Sequence, residues 1–273
     1  MIWAIYRIHY GTDFVIESVN SIINHVDKIY IFYSEDPWIK TDKINYKNNL
    51  IEFPKNPENV KSFLLKNFQN NKIIIKKYEC NTPLNQYGNL YEIAENENEN
   101  KAKFVLFMEP DMIFGKNQLK ILKLELTLKF WLKNITTKQL ETWKFNRNNV
   151  DNFRIPIRKR RAGPVLWHLN RNKKIQTEFN GCSCDKKKKF SSFVKTLNMG
   201  FSFNKETMHY KHLLAIAFSE VIGDSKVDEK WYDEKWLNWS PDTIDLDVSE
   251  GNQKKIYKAF KFKIPQKFKI YLN

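Results

Sequence analysis

Residues 101–114 read KAKFVLFMEPDMIF, and this stretch decides the fold. Its middle, residues 104–108, is an unbroken apolar run. That is too short for a helix and suits a strand buried on both faces. Pro110 has no N–H to give a sheet ladder, so the strand is expected to stop at Glu109-Pro110-Asp111. Two carboxylates then stand at the carboxyl end of a buried strand, the edge where open α/β sheets bind ligands. A solvated turn after a core strand has the same local pattern, so the flanking chain must separate the two readings.

Upstream, residues 2–10 alternate and are rich in Ile, Trp and Tyr, which predicts a first strand. Gly11-Thr12-Asp13 breaks it and supplies an N-cap. Residues 14–26 then place Phe14, Val15, Val19, Ile22, Ile23 and Val26 at helical spacing. Residues 29–33 form a second short strand that ends in Ser34-Glu35-Asp36-Pro37. Such a β-α-β crossover implies parallel strands. A helix over 59–70, a strand over 72–78 and a helix over 90–100 follow, joined by turn-rich residues 45–57 and a loop at 81–87. Residues 1–115 thus alternate strand and helix, a Rossmann-like half.

The second half has a different texture. Leu122, Leu124, Leu126, Leu128 and Phe130 alternate within residues 119–132, and we read that segment as a strand. Further strands are expected at 138–145, 153–157 and 165–169, with a glycine-bearing segment at 193–203. Helices are expected at 206–220 and 229–239. RKRRAG (158–163) and the four lysines 186–189 read as basic loops. No linker separates the halves, so the expectation is one domain, 1–273, with unlike halves at 1–115 and 116–273.

Composition narrows the class. The 273 residues are 42% hydrophobic, globular content sufficient for a core without staples. Three cysteines, Cys80, Cys182 and Cys184, provide neither a disulfide framework nor a paired zinc motif. The formal net charge of +15 attracts anions: nucleic acid, acidic membrane or phosphorylated ligands. Arg7 and His9 interrupt the apolar start, which does not read as a signal peptide, and no apolar run approaches a membrane span. A cytoplasmic protein is expected, with peripheral contact at the inner membrane face through the basic loops.

If the strands are parallel, their ends share one edge. Tyr6, Arg7, His9 and Tyr10 close the first strand, Glu35 and Asp36 the second, and Glu109 and Asp111 the buried one. Taken singly, Tyr6 and Tyr10 suit sheet packing and Asp36 a turn before Pro37. Taken together, the aromatic, basic and acidic groups suit a nucleotide.

These residues resemble a GT-A fold glycosyltransferase of the family-two kind. The likeness runs through residues 6–36, YRIHYGTDFVIESVNSIINHVDKIYIFYSED, and through residues 86–95, and covers about the first 115 residues. Glu109-Pro110-Asp111 stands where that family carries its DXD motif, with Glu in the first position. The second strand lacks the family's usual Asp-x-Ser ending. The resemblance implies an α/β fold with a Rossmann-like, mostly parallel central sheet flanked by helices and a mixed C-terminal acceptor region. It implies a nucleoside-diphosphate sugar donor held by Tyr6, Arg7, His9, Glu35, Asp36, Gln86, Asn89, Glu109, Asp111 and Gly200. Mn²⁺ or Mg²⁺ would sit at Asp111, Glu109 and a late histidine, for which His212 and His209 are the candidates. Hard cations of this kind take carboxylate and phosphate oxygens.

The same resemblance implies a carboxylate base, for which Asp224 is the first candidate and Glu178 and Asp228 are rivals. Arg158, Trp231 and Trp236 are candidate contacts to a glycan, lipid-linked or protein acceptor. Helical spacing is mostly what a core-facing stripe of tryptophans gives, and a helical histidine is more often a satisfied side chain than a ligand. A nucleotidyltransferase on a similar sheet is disfavoured because no Gly-rich phosphate loop follows the first strand. A non-catalytic nucleic-acid-binding protein would fit the charge. It would leave the paired acids unexplained, and no recognised nucleic-acid motif is present.

Overall fold

The computed structural model describes residues 1–39, 41–79, 86–98, 101–145, 152–156, 162–171, 190–222, 227–243, 246–249 and 257–272. The chain runs from β1 (Ile2–Ile8) through α1 (Val15–Ile22) to β2 (Lys28–Tyr33). A hairpin of β3 (Lys43–Tyr46) and β4 (Asn49–Glu52) and helix α2 (Val60–Asn67) precede β5 (Ile73–Lys77). Helix α3 (Gln86–Asn96) leads into β6 (Phe104–Met108). Then follow β7 (Met112–Phe114), α4 (Gln118–Leu128), β8 (Asn134–Trp143), β9 (Asn152–Arg154), β10 (Ala162–His168) and β11 (Ser191–Phe201). Helix α5 (Lys205–Ile222), a π-helix (Trp231–Leu237), β12 (Phe260–Phe262) and α6 (Gln266–Lys269) complete it.

The main sheet has the order β12-β9-β8-β10-β6-β1-β2-β5, and β11 pairs with both β7 and β8. β1 lies parallel to β2 and β6, and β2 parallel to β5. All five residues of β6 are buried. On one face Ala4, Tyr6, Leu106 and Met108 meet α1, α2 and α4. On the other, Trp3, Ile5, Val105 and Phe107 meet Leu90, Tyr91 and Ala94 of α3. Two-sided cover is what the continuous apolar run of β6 requires. Beyond β6 the sheet turns mixed: β10 is antiparallel to β6 and β8, while β11 is parallel to β8 and antiparallel to β7. This is the Rossmann-like, GT-A kind of α/β architecture, parallel in its first half and mixed in its second.

Local chemistry shapes the turn after β1. Gly11 takes φ +87°, a left-handed conformation that favours glycine, and a Cβ there would stand 2.9 Å from Phe203 Cζ. The chain then winds into α1, whose Val15, Val19 and Ile22 are fully buried. The buried serines of α1 serve the short strand β7: Ser18 Oγ donates to the Met112 carbonyl at 2.6 Å, and Ser21 Oγ accepts the Phe114 N–H at 3.1 Å.

Three expectations change. Residues 119–132 hold a helix, not a strand: Leu119, Leu122 and Leu126 are buried while Leu124 and Leu128 are 58% and 68% exposed. The alternation was produced by leucines on two opposite helix faces. Within the turn-rich 45–57 stretch, β3 and β4 pair around Lys47 and Asn48, both at positive φ, as a tight hairpin turn requires. The hairpin packs its Ile44 with Tyr210, Leu213 and Leu214 of α5. Residues 231–237 wind as a π-helix, whose carbonyl end accepts from Lys144 Nζ at Leu237 (3.3 Å) and Trp239 (3.0 Å).

The two leucine faces of α4 separate experimentally. Leu122→Ala should destabilise the protein by about 2–5 kcal/mol, the usual result of emptying a core site. Leu124→Ala should change stability by less than about 0.5 kcal/mol. Urea denaturation followed by circular dichroism reads both values, and equal losses would contradict the helical assignment.

Candidate functional site

Pro110 ends β6 inside the molecule, and the chain re-enters the sheet at once through β7. Asp111 lies in that turn and is 8% exposed. Its position is set from outside its own segment: Met199 N–H of β11 donates to the Asp111 carbonyl at 2.8 Å. The β7–β11 pairing continues the same seam, with Met112 opposite Asn198. Glu109, next to it, is partly exposed.

Gly200 is the close approach that makes the site possible. A Cβ on Gly200 would lie 2.6 Å from Asp111 Oδ2, 2.9 Å from Asn198 Oδ1 and 3.1 Å from Lys211 Nζ. A carboxylate, an amide oxygen and an ammonium therefore converge on one point. Each has its own support. Asn198 Oδ1 accepts the Gly200 N–H at 2.8 Å and Asn198 Nδ2 donates to buried Gln139 at 3.1 Å. Lys211 Nζ, from α5, donates to the Gly200 carbonyl at 2.5 Å and lies over the Phe201 and Phe203 rings.

The end of β1 closes the arrangement. Burial raises the Tyr10 hydroxyl pKa, and the negative fields of Asp111 and Glu109 raise it further, with Arg7 opposing. Tyr10 thus stays a neutral phenol within electrostatic reach of both acids and of Arg7. The Arg7 guanidinium carbon lies 5.3 Å from the centre of the Trp38 ring. His9 is almost fully buried, and its Nδ1 faces the Ser34 carbonyl at 3.0 Å. A carbonyl only accepts, so Nδ1 carries the proton and Nε2 accepts from the Tyr210 hydroxyl at 2.7 Å. His9 is thereby a strut between the β1 and β2 ends and α5.

Other predicted residues fall elsewhere. Tyr6 is fully buried in the core with its hydroxyl 3.1 Å from Ser18 Oγ. Glu35 is exposed and ion-paired with Lys77, whose hydrogen bond holds its carboxyl below the usual range. Asp36 is exposed, and its carbonyl accepts from Ser34 Oγ. Asn89 is exposed on α3, and Gln86 begins that helix. Trp231 and Trp236 are buried, donating to the Val248 and Phe201 carbonyls at 3.2 and 2.9 Å. They are core residues that fasten the π-helix to the end of β11, which leaves no ring face for an acceptor. Asp228, just before the π-helix, accepts the Lys230 N–H at 3.1 Å and pairs with Lys235 at 3.1 Å. Asp224, Glu178, Arg158, most of RKRRAG, the four lysines 186–189 and the three cysteines lie outside the described residues.

Lys211, Gln139 and the strut partner Tyr210 were not predicted as site residues, whereas Asn198 lies in the glycine-bearing stretch 198–201 that resembles the strand lining a sugar pocket. In sequence Lys211 is one polar position among several in MHYKHLL, and only the α5–β11 packing gives it a role.

The turn after β1 is already occupied by an anion of the protein itself. Glu58 accepts from the Gly11 N–H at 3.0 Å, the Thr12 N–H at 2.8 Å and the Thr207 hydroxyl at 2.6 Å. Successive backbone N–H groups beside a left-handed residue form an anion nest. Here the carboxylate fills it and ties the start of α1 to the start of α5.

The divalent cation implied by the resemblance can be set against these side chains. Asp111 and Glu109 offer hard oxygens at one turn, enough for an ion that takes its other ligands from a diphosphate. His212 does not join them: its Nε2 is 3.1 Å from the Glu229 carbonyl and its ring packs against Tyr46, Trp231 and Tyr232. Among the described residues no three His, Cys, Asp or Glu side chains gather to hold a metal by themselves. The donor set therefore fits a cation shared with a phosphate ligand, without a histidine.

No protein-family model matches the chain, and no curated protein does. Solved structures give fold-level likenesses. S. aureus TarS (residues 1–349) is 11% identical over 87% of this chain and 70% of its own, with a TM-score of 0.41. The mannosyltransferase PcManGT from Pyrobaculum calidifontis, solved with GDP-Man and Mn²⁺, is 8% identical over 82% and 65%, with a TM-score of 0.46. The 4-diphosphocytidyl-2C-methyl-D-erythritol synthase of Anaerococcus prevotii is 12% identical over 79% and 96%, with a TM-score of 0.39.

Two outcomes follow from the site itself. Gly200→Ala forces a methyl against Asp111, Asn198 and Lys211 and should lower stability by about 1–3 kcal/mol, read from the urea midpoint. Burial also pushes the His9 and His212 pKa values below the ordinary 6.5, with His25, His168 and His209 shifted the same way. As pH falls below about 6.5 the unfolded chain takes up protons that the folded protein refuses, so stability present at neutral pH is lost on acidification. The melting temperature should fall between about pH 7 and pH 5, and a flat or rising profile would contradict the assignment.

Proposed function

We propose that the chain is a glycosyltransferase that moves a sugar from a nucleoside-diphosphate donor to an acceptor hydroxyl. One observation carries this reading. At the carboxyl edge of a parallel sheet, Asp111 Oδ2 converges with Asn198 Oδ1 and the Lys211 ammonium on the Cβ-less space at Gly200. Tyr10 and Arg7 stand at the same edge. Carboxylates alone would repel a diphosphate. Lys211 places positive charge beside Asp111, with Arg7 at the same edge near Tyr10, and cations of this kind stabilise negative charge that grows on a leaving group.

In the transfer, the acceptor oxygen bonds to the anomeric carbon as the bond from that carbon to the diphosphate oxygen breaks. The acceptor proton passes to a carboxylate base, and the electron pair leaves with the nucleoside diphosphate. Lys211 and Arg7 meet that charge. Tyr10, held as a neutral phenol, is available to donate a hydrogen bond to a phosphate or sugar oxygen. Asp111, with Glu109, would hold a Mn²⁺ or Mg²⁺ ion, which when bound supplies Lewis-acid stabilisation of the diphosphate. Asp224 is proposed as the base. The resemblance implies the sugar donor and the acceptor class, and the basic loops imply contact at the inner membrane face; no helix among the described residues is long and apolar enough to cross a membrane.

The occupied nest at Gly11 and Thr12 favours this reading over a nucleotidyltransferase that cradles phosphates in the first turn of its sheet. That turn gives its N–H groups to Glu58.

A thermal-shift panel of UDP, GDP and CDP with Mn²⁺ tests the proposal. One of them should raise the melting temperature, and Asp111→Asn should remove the metal-dependent part of the shift while leaving the ligand-free melting temperature nearly unchanged. Lys211→Met should weaken nucleoside-diphosphate affinity by about tenfold or more, the value of a charge-assisted hydrogen bond. If no diphosphate shifts the wild-type protein, or if Lys211→Met binds as wild type, the proposal fails.

A further inference from the structure

Helix α4 is apolar on two sides. Leu119, Leu122 and Leu126 face the sheet and are buried. On the opposite side Ile121, Leu124 and Leu128 are 47%, 58% and 68% exposed. The stripe runs on into the turn beyond the helix, where Phe130 and Trp131 are 74% and 65% exposed. Exposed apolar residues scattered singly need no explanation, but five along one helix and its turn do.

The aromatic corner is a built feature. Arg171 donates from Nη1 to the Leu126, Lys129 and Leu132 carbonyls at 2.9, 3.2 and 3.0 Å, and from Nη2 to the Thr127 carbonyl at 3.3 Å. One guanidinium thus satisfies the open carbonyl end of α4, where cationic side chains also suit the helix dipole. The turn is held in place while Phe130 and Trp131, edge to face at 5.2 Å, point away from the core.

Charge selects the occupant. Between Lys116 and Lys133 the chain carries five lysines and one acid, Glu125. Glu125 is taken up by Lys129 at 2.7 Å and by Ser192 Oγ. Lys116, Lys120, Lys123 and Lys133 are exposed along the same segment.

We propose that this face of α4 with its Phe130–Trp131 corner docks on a bilayer surface containing anionic lipid. An amphipathic helix with aliphatic residues on its outer side, lysines around them and Trp at one end has the composition of an interfacial helix. The lysines meet lipid headgroups while the aliphatic and aromatic side chains enter the acyl boundary. A second copy is a poor occupant, because a two-fold contact sets each patch on itself and brings lysines against lysines. Nucleic acid offers no partner for three adjacent aliphatic side chains. The inference is independent of the transferase reading, since it uses none of the residues at the sheet edge.

Vesicle co-sedimentation tests it with the full chain. Binding should be seen with phosphatidylcholine vesicles containing phosphatidylglycerol, should weaken with salt, and should be far lower on phosphatidylcholine alone. The double variant Phe130→Ser/Trp131→Ser should partition at least about tenfold more weakly, at unchanged melting temperature, because both side chains are already in solvent. Leu124→Gln/Leu128→Gln should act in the same direction and guards against an effect confined to the turn. Trp131 fluorescence should shift to the blue on anionic vesicles. Equal binding by the variants and wild type would overturn the proposal, as would a dimer lost in the variants without vesicle binding, or an RNA affinity that the same substitutions abolish.

Discussion

The hydrogen bond from the Met199 N–H to the Asp111 carbonyl, 2.8 Å long, joins the two halves of the chain where the candidate chemistry lies. A central parallel strand ordinarily leads into a helix at its carboxyl end. Here Pro110 stops β6, and the chain pairs immediately with β11 through β7. That pairing buries Asp111 against a strand supplied some ninety residues later and brings Gly200 opposite its carboxylate. The acid is positioned by backbone contacts from another part of the fold, so its geometry is less exposed to loop motion than that of a turn residue in solvent.

Electrostatics at the edge follow from the same seam. α5 begins directly beyond β11, and its first turns carry Tyr210 to His9 and Lys211 to the Asp111–Gly200 contact. Glu58 bridges the start of α5 to the turn after β1 through Thr207, Gly11 and Thr12. Lys211 from α5 thus meets Asp111 at Gly200, and Arg7 from β1 shares the surroundings of Tyr10 with Glu109 and Asp111, a field of mixed sign. The strongly basic net charge of the chain, +15, acts in the same direction at long range.

The surface has a second organising constraint. α4 buries one leucine row against the sheet and exposes another, and this doubled pattern mimics the alternation of a strand over 119–132. A period of two arises when the two faces of a helix are both apolar, because leucines from opposite sides then fall on alternate positions. The feature that hid the helix is the one that gives it an outward surface. Trp231 and Trp236 show the converse. Their helical spacing favours a core stripe over an acceptor platform, and the contacts with Phe201 and Val248 place them in the core.

The sequence by itself determined the parallel half of the fold and the turn at its centre. An apolar run too short for a helix, a proline that ends it and a β-α-β unit upstream are local signals, and local propensity with hydrophobic period decides them. It also placed Glu109, Asp111, Arg7 and Tyr10 at one edge, because parallel strands must end together. Only the tertiary structure decided which of the remaining polar residues meet there. Lys211 and Asn198 reach Asp111 through a pairing of β7 with β11 across roughly eighty residues, while Tyr6 and His212 are drawn into the core by the packing around them. Such choices depend on long-range register and on which face of a helix is buried, quantities that no local pattern in the chain encodes.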